Sequence, residues 1–515
     1  MELEQSTETP YGKIQLGNYS GQKSLFLNGH YVDSWPDYTS AEEKIHFFMS
    51  AISSPSKILI LGIPNPDFLR ELKKYSDTKI DVVEIDEILL KTITENSVSD
   101  KQVKFICEDP RKFINFTTEK YDGILILGGD PVYLADNRLF TFQAYDSISR
   151  ILAKRGVFAT TVSGCENYLG EEMQEVILSF DQTLKRVFPE VYAIPGERIT
   201  FLASNEKDSF PKTPEGFIKN FMEKKIPTLS FSQFSIKNLM LQFRMDELHK
   251  WLAQKKEFSI NSDVNPKSFS RQLQLWDIYS NSKLSGLIGF FSKMTLEKTL
   301  LIIIFCFLIA NYAFWKFNWK LDVLVPSTCA GISGFISLLG EMCFIFLFQI
   351  REGAMHRMTA FFFGTFMLGL SFGAVIGHKF ISNCRTEIFK KSLFLVKIFQ
   401  GIFFLFFFIF SYRSDFHTLI FVATGIFTIS FLAGFEFPII EKILEKNKKR
   451  IYKKEFIASL LLITDNCGGV FGSLLSGIWL FPILGVSGTL AMCFVFSIGA
   501  AFSIHLHRDR IFNSN

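Results

Sequence analysis

From Thr299 to about position 507 the chain passes through seven apolar stretches, each long enough to cross bilayer hydrocarbon about 30 Å thick. Hydrocarbon offers the backbone no water to bond to, so such stretches must satisfy their own N–H and C=O groups as helices. Residues 298–507 are therefore expected to form an all-α transmembrane domain of about seven helices, with a lipid bilayer as partner. The 59 phenylalanines and the mean hydropathy of +0.21 reflect this half. A wholly water-soluble protein is excluded, and so is a disordered or collagenous chain. A net charge of +4 is too small to argue for nucleic acid, and no nucleic-acid partner is expected. The eight cysteines form no CxxC pair, and most fall in apolar stretches, so neither a disulfide framework nor a metal site is expected.

The polar half has its own grammar. Ile14 and Leu16 alternate with polar residues, and Ser24 to Val32 holds two short strands around Asn28-Gly29, a turn signal. Residues 1–50 are thus an N-terminal β region. Strand-like runs at 57–62, 80–86, 103–107, 123–127 and 157–162 then alternate with helix-like runs such as 68–72 and 148–152. That alternation predicts a doubly wound, mostly parallel sheet over residues 51–205. Residues 206–297 are charged, with helical patterns and few strand signals, and are expected to be a helical connector.

Sidedness is contested within the sequence. Basic residues cluster in the loops after the odd-numbered spans, most densely at Lys442–Lys454, which the positive-inside rule makes cytoplasmic. Seven spans would then put the polar half on the opposite face, yet the acidic MELEQSTETP start has no character of a signal peptide. A cytoplasmic polar half on an inner or plasma membrane is the expectation, because its expected ligand is intracellular.

The polar half resembles the polyamine aminopropyltransferases, the spermidine and spermine synthase family, and in particular a membrane-fused branch of it. The resemblance is carried by Thr9-Pro10-Tyr11-Gly12, Ser24 to Gly29, Ala41 to His46, Leu69-Arg70-Glu71, Val83-Glu84-Ile85-Asp86, Tyr121-Asp122, Asp130-Pro131, Asn137 to Phe140 and Glu166 to Leu169. It extends more weakly to Asp263, Pro266 and Trp276, and in the apolar half to Phe366–Leu370 and Gly434–Pro438. It implies an α/β Rossmann-like methyltransferase fold with a small N-terminal β-hairpin region, followed by the all-α multi-span domain. It also implies decarboxylated S-adenosylmethionine, or S-adenosylmethionine, as co-substrate with no prosthetic group, and an amine acceptor. A homodimer is compatible with this reading. Glu84, ending the second strand, is placed to accept hydrogen bonds from both ribose hydroxyls, and Asp109, after the third, matches the family's adenine-contacting acid. Either acid equally suits a helix cap.

Three departures from the family bear on chemistry. Its glycine-rich first loop is here Gly62-Ile63-Pro64-Asn65-Pro66-Asp67, where two prolines remove amide donors; Gly62 and Asn65 are the remaining ligand-contacting candidates. The family's proton-accepting acid falls at Leu127 in Leu127-Gly128-Gly129-Asp130-Pro131, leaving Asp130. Its Tyr-His pair falls at Ser40 and Ala41, while Glu42 is kept. The favoured reading is a membrane-bound enzyme transferring an aminopropyl or related alkyl group to an amine, with Asp130 and Glu42 as catalytic candidates. The alternative is a degenerate nucleoside- or polyamine-binding sensor or transporter without that activity. Glu341, Glu436 and Asp465 lie inside the apolar spans, where carboxylates are costly and mark functional positions or helix-interface hydrogen bonds.

Overall fold

The computed structural model describes residues 2–95, 102–128, 130–131, 134–164, 170–254, 260–269, 275, 294–316, 321–353, 355–383, 386–410, 418–445, 454–508 and 511. Gly129, Glu166–Leu169, Trp276 and most of the basic 442–454 loop lie outside them. The chain divides into two compact units, Met1–Ser280 with Glu352–His356, and Asn281–Arg351 with Arg357–Asn515.

The first unit opens with an antiparallel meander of β1 (Glu2–Thr9), β2 (Gly12–Tyr19), β3 (Gln22–Leu27) and β4 (His30–Trp35). Asn28 and Gly29 turn the β3–β4 hairpin at φ of 51° and 80°, the left-handed pair that a two-residue hairpin demands. Ile14, Leu16 and Leu25 point inward and are buried. Asp37 then caps α1 (Tyr38–Ala51) by accepting the Ser40 N–H.

The alternation continues through β5 (Lys57–Leu61), α2 (Pro66–Lys73), β6 (Lys79–Glu84), α3 (Glu87–Glu95), β7 (Val103–Cys107), α4 (Pro110–Phe116), β8 (Tyr121–Ile126), α5 (Leu134–Asn137), α6 (Phe142–Ile151), β9 (Leu152–Ser163), α7 (Glu171–Val187), β10 (Glu190–Ile194) and β11 (Arg198–Ser204). The seven strands lie in the order β10-β11-β9-β8-β5-β6-β7, with β7 through β9 parallel and β11 antiparallel to both neighbours. This is the Rossmann-like methyltransferase arrangement. Helices cover both faces, so Leu59, Ile60, Leu61, Val82, Val83 and Ile124 are fully buried along continuous apolar runs. Strand order reverses at β5, between β6 and β8, which opens a crevice at the carboxyl ends of these strands.

The 206–297 stretch is helical over α8 (Pro214–Glu223), α9 (Gln233–Leu239) and α10 (Gln242–Gln254). These helices are built into the sheet unit. Phe217, Phe221, Ile236 and Met245 share a core with Phe47, Leu72 and Ile80, while Leu248 and Leu252 join the opposite face. The buried Asn261 amide donates to Asn137 Oδ1 and the Phe140 carbonyl at 2.9 and 2.8 Å. Asp263 binds Arg111 at 3.0 Å and Thr141 at 2.6 Å, which ties this stretch down as far as that residue.

The second unit consists of α11 (Leu296–Lys316), α12 (Leu321–Glu352), α13 (Met355–Asn383), α14 (Thr386–Phe410), α15 (Thr418–Glu445), α16 (Lys454–Leu475), a π-helical segment at Ser476–Leu484 and α17 (Gly485–Leu506). Among the described residues, seven helical stretches are long and apolar enough to cross a membrane, which is compatible with a multi-pass membrane protein. The glycines spaced by four do what that spacing predicts. Gly373 and Gly377 lie against the backbone carbonyls of Phe431 and Phe435 on α15, and Gly468 and Gly472 against those of Gly331 and Phe335 on α12.

Candidate functional site

Three strand ends converge at the crevice. Gly62, just past β5, has φ +98° and its N–H bonds the Val83 carbonyl at 3.0 Å. A Cβ there would run into the carbonyl oxygen of Leu127, so both conformation and space require glycine. Glu84 ends β6 and folds over its own turn, its Oε1 accepting the N–H groups of Ile85 and Asp86 at 2.8 and 3.1 Å. Burial raises the Glu84 pKa, those two N–H donors oppose the rise, and the neighbouring carboxylates of Asp86 and Asp109 add to it; the balance is about 7.

Glu84 does not cap the following helix; Asp86 does. Asp86 Oδ1 accepts from Ile88 and Leu89, while its Oδ2 takes the Thr9 hydroxyl at 2.5 Å, bringing the Thr9–Gly12 turn to this edge. Asp109 both caps α4, accepting from Arg111 and Lys112, and pairs with Arg138 at 2.7 Å. The capping reading therefore fits Asp109, while Glu84 is left with the less constrained carboxylate. Asn65 is buried as the cap of α2, accepting from Phe68 and donating to Asp33 Oδ2 at 2.9 Å. Pro66 takes the first helical position, where its missing N–H costs nothing. The two-proline loop is thus a rigid entry into α2.

The acceptor-side residues are held differently. Asp130 Oδ1 accepts the Ser163 N–H at 2.8 Å and Arg198 Nη2 at 3.1 Å. Glu42 is fully buried, and its two oxygens accept from the N–H groups of Leu229, Ser230 and Phe231 and from the Ser230 hydroxyl, all within 2.9 Å. Burial alone would raise its pKa; those backbone donors outweigh it and hold the group at about 2. The partners of Asp130 lie on β9 and β11 and those of Glu42 in the 229–231 turn, so the two carboxylates serve different parts of the unit. Leu127 packs against the core to which the buried Ala41 belongs, and Ser40 sits in the first turn of α1.

Glu42, His46 and Glu71 form the group with metal-ligand spacing among the described residues. They are a closed network. His46 bonds Tyr75 at 2.8 Å and Glu71 at 3.0 Å, and the Lys74 ammonium sits on Glu71 at 2.5 Å, where a cation would otherwise be placed. Burial lowers the His46 pKa despite Glu71.

In the second unit Glu436 is fully buried and paired with Lys397 at 2.9 Å. Asp465 is half-buried beside Gly334, and Glu341 is buried with neither oxygen partnered among the described residues. Sequence reasoning missed Lys397, although a lone cation in the middle of an apolar span was a visible signal. It also missed Arg198, for which no local signal exists, since it meets Asp130 from 68 residues away.

Residues 39–208 match the spermine/spermidine synthase domain family. The polyamine aminopropyltransferase 2 of Aquifex aeolicus (strain VF5) is 32% identical over 219 residues, covering 39% of this chain and 43% of that protein. The polyamine aminopropyltransferase of Prochlorococcus marinus (strain MIT 9312) is 33% identical over 185 residues, 34% of this chain and 63% of that one. The chain thus spans between two-fifths and two-thirds of the length of these relatives. A crystal structure of spermidine synthase from Thermotoga maritima superposes with a TM-score of 0.39 at 18% identity, covering 49% of this chain and 88% of that one. Strand order, crevice and domain match together identify the N-terminal unit as a spermidine synthase-like domain.

Proposed function

We propose that the protein is a membrane-embedded transferase that moves an aminopropyl group from decarboxylated S-adenosylmethionine to an amine. The observation that carries this reading is the pair of carboxylates, Glu84 and Asp109, at the carboxyl ends of adjacent strands beside Gly62. Glu84 would accept the ribose hydroxyls, and Asp109, fixed by Arg138, would face the adenine. Decarboxylation leaves the donor without the carboxylate that backbone amides would bind, so the amide-poor Pro64–Pro66 loop costs such a ligand less than it would cost S-adenosylmethionine.

In the reaction the amine lone pair attacks the methylene next to the sulfonium. A C–N bond forms, the C–S bond breaks, and its electrons return to sulfur, releasing methylthioadenosine. The attacking nitrogen must arrive neutral or shed its proton. Leu127 cannot take that proton. The attacking nitrogen therefore arrives neutral, its proton left to water, and Asp130, braced by Arg198 and the Ser163 N–H near the end of β8, would hold a second, protonated amine of the acceptor. Glu42 has no part in the step, because its oxygens are committed to the 229–231 turn.

The test is methylthioadenosine release by the purified full-length protein, given decarboxylated S-adenosylmethionine and a panel of amines. Product that falls at least tenfold in Asp130→Asn supports the reading. Nucleoside binding without product from any amine would overturn transfer and leave a binding domain.

A further inference from the structure

The ligand edge of the sheet unit holds a cation to which the transfer step assigns nothing but the bracing of Asp130. β11 runs antiparallel to β9, so its first residue, Arg198, is delivered opposite Ser163, the last residue of β9. That is the carboxyl end of the parallel strands, where open α/β sheets bind their ligands. Asp130 stands at the same edge, bonded to Arg198 and following Leu127, whose carbonyl lies against Gly62.

Arg198 is engaged but not exhausted. Its Nε donates to Thr161 Oγ1 at 3.1 Å and its Nη1 to Ser163 Oγ at 3.3 Å, while Nη2 serves Asp130 Oδ1 and the Thr161 carbonyl at 3.1 and 3.4 Å. A guanidinium has five N–H donors, so the second N–H of Nη1 has no partner among the described residues. Thr161 and Ser163 project from one face of β9. Both hydroxyls accept from Arg198, and their own O–H donors are unspent among the described residues. The Arg198 side chain is 34% exposed and that of Asp130 9%, so the cation is the more reachable of the two.

The surplus groups here are all donors, which a carboxylate satisfies and an ammonium cannot. Asp130 and Arg198 also cancel each other's charge. An acceptor that brought only an ammonium to Asp130 would draw on the charge that Arg198 already uses. A ligand with an ammonium and a carboxylate on one carbon balances both, the ammonium toward Asp130 and the carboxylate toward the planar fork of Arg198.

We propose that the acceptor is an α,ω-diamino carboxylic acid. Asp130 holds its α-ammonium, Arg198 with the Ser163 and Thr161 hydroxyls holds its α-carboxylate, and its ω-amine is the nucleophile. This acceptor class rests on the aminopropyl transfer proposed above. The ω-nitrogen arrives neutral and forms the C–N bond as the C–S bond breaks with its electron pair to sulfur. The products are a secondary ammonium and methylthioadenosine. Arg198 thus decides which amine is used without touching the reacting atoms.

Matched acceptors test this on the purified full-length protein. Ornithine and putrescine, like lysine and cadaverine, differ only by the carboxylate. With decarboxylated S-adenosylmethionine as donor, kcat/KM for methylthioadenosine release should be at least tenfold higher for one of the diamino acids than for the diamine that matches it. Arg198→Gln should reverse the preference, lowering kcat/KM for the diamino acid at least tenfold and raising it for the diamine, since Asp130 is then released. A merely structural arginine would lower both alike, and that result overturns the proposal. So does equal or better use of both diamines by the wild type, a comparison that needs no variant to fold. If no amine yields product, the transfer reading has failed, and calorimetry in the presence of methylthioadenosine still decides the site. A diamino acid that binds at least tenfold more tightly than its diamine supports it; equal or weaker binding overturns it.

Discussion

At the scale of single residues, a carboxylate's partners decide what it can do. Glu84 and Glu42 are both acids beside polar backbone, yet burial and neighbouring carboxylates push one up to about 7 while backbone N–H groups hold the other at about 2. Ribose hydroxyls are donors and need the ionised form of Glu84. Nucleoside affinity should therefore rise with pH, by up to about tenfold per unit below pH 7, and level off above it. Calorimetry across pH checks this, and Glu84→Ala should lose both the binding and its pH dependence; unchanged affinity would sink the ribose assignment. Glu42→Gln should instead cost about 2–3 kcal/mol of stability by weakening three charge-assisted backbone bonds, seen in denaturant unfolding, with nucleoside binding intact. The sign with pH is also set. The Glu42 pKa lies below its ordinary 4.5, so its contribution is complete above that value and is lost as pH falls toward about 2.

At the scale of elements, strands and helices were legible because their signals are local. Apolar runs such as Lys57–Leu61 and the Asn28-Gly29 turn state their own conformation. The β10–β11 hairpin is absent from the strand runs read in the sequence, because Val191, Tyr192 and Ala193 become a strand through pairing with Leu202 and its neighbours. Helices α8 to α10 could be seen as helical but not as core, because their buried residues meet partners distant in sequence, as Phe217 of α8 stacks on Phe47 of α1 about 170 residues away. Helix contact through glycine was written in the spacing of Gly369, Gly373 and Gly377. Gly373→Leu would drive a side chain into the Phe431 carbonyl, which is backbone and cannot turn aside. A loss of about 3 kcal/mol is expected, read as a lower melting midpoint of the detergent-solubilised protein; an unchanged midpoint would refute the close approach.

At the scale of the whole molecule, the chain joins a spermidine synthase-like unit to a helical unit whose seven apolar stretches suit a bilayer. The protein is expected to stay in the membrane pellet through an alkaline carbonate wash, and its recovery in the supernatant would refute membrane embedding. Outward-facing residues of that unit support the expectation: Leu301, Phe305, Met367, Leu462 and Phe471 are each more than half exposed, a surface that water would not tolerate over several helices.

The sequence by itself determined the polar and apolar halves, the strand–helix alternation and the placement of Glu84 and Asp109 at strand ends, because hydrophobic periodicity and turn chemistry act over a few residues. Only the tertiary structure decided which of the conspicuous acids are already engaged. Asp130 is claimed by Arg198, 68 residues on, Glu42 by a turn 187 residues on, and Glu436 by a lysine on the preceding helix. Burial makes an unpaired carboxylate expensive, so each acid takes its charge from whichever donors the fold brings to it, and that choice is not written near the acid itself.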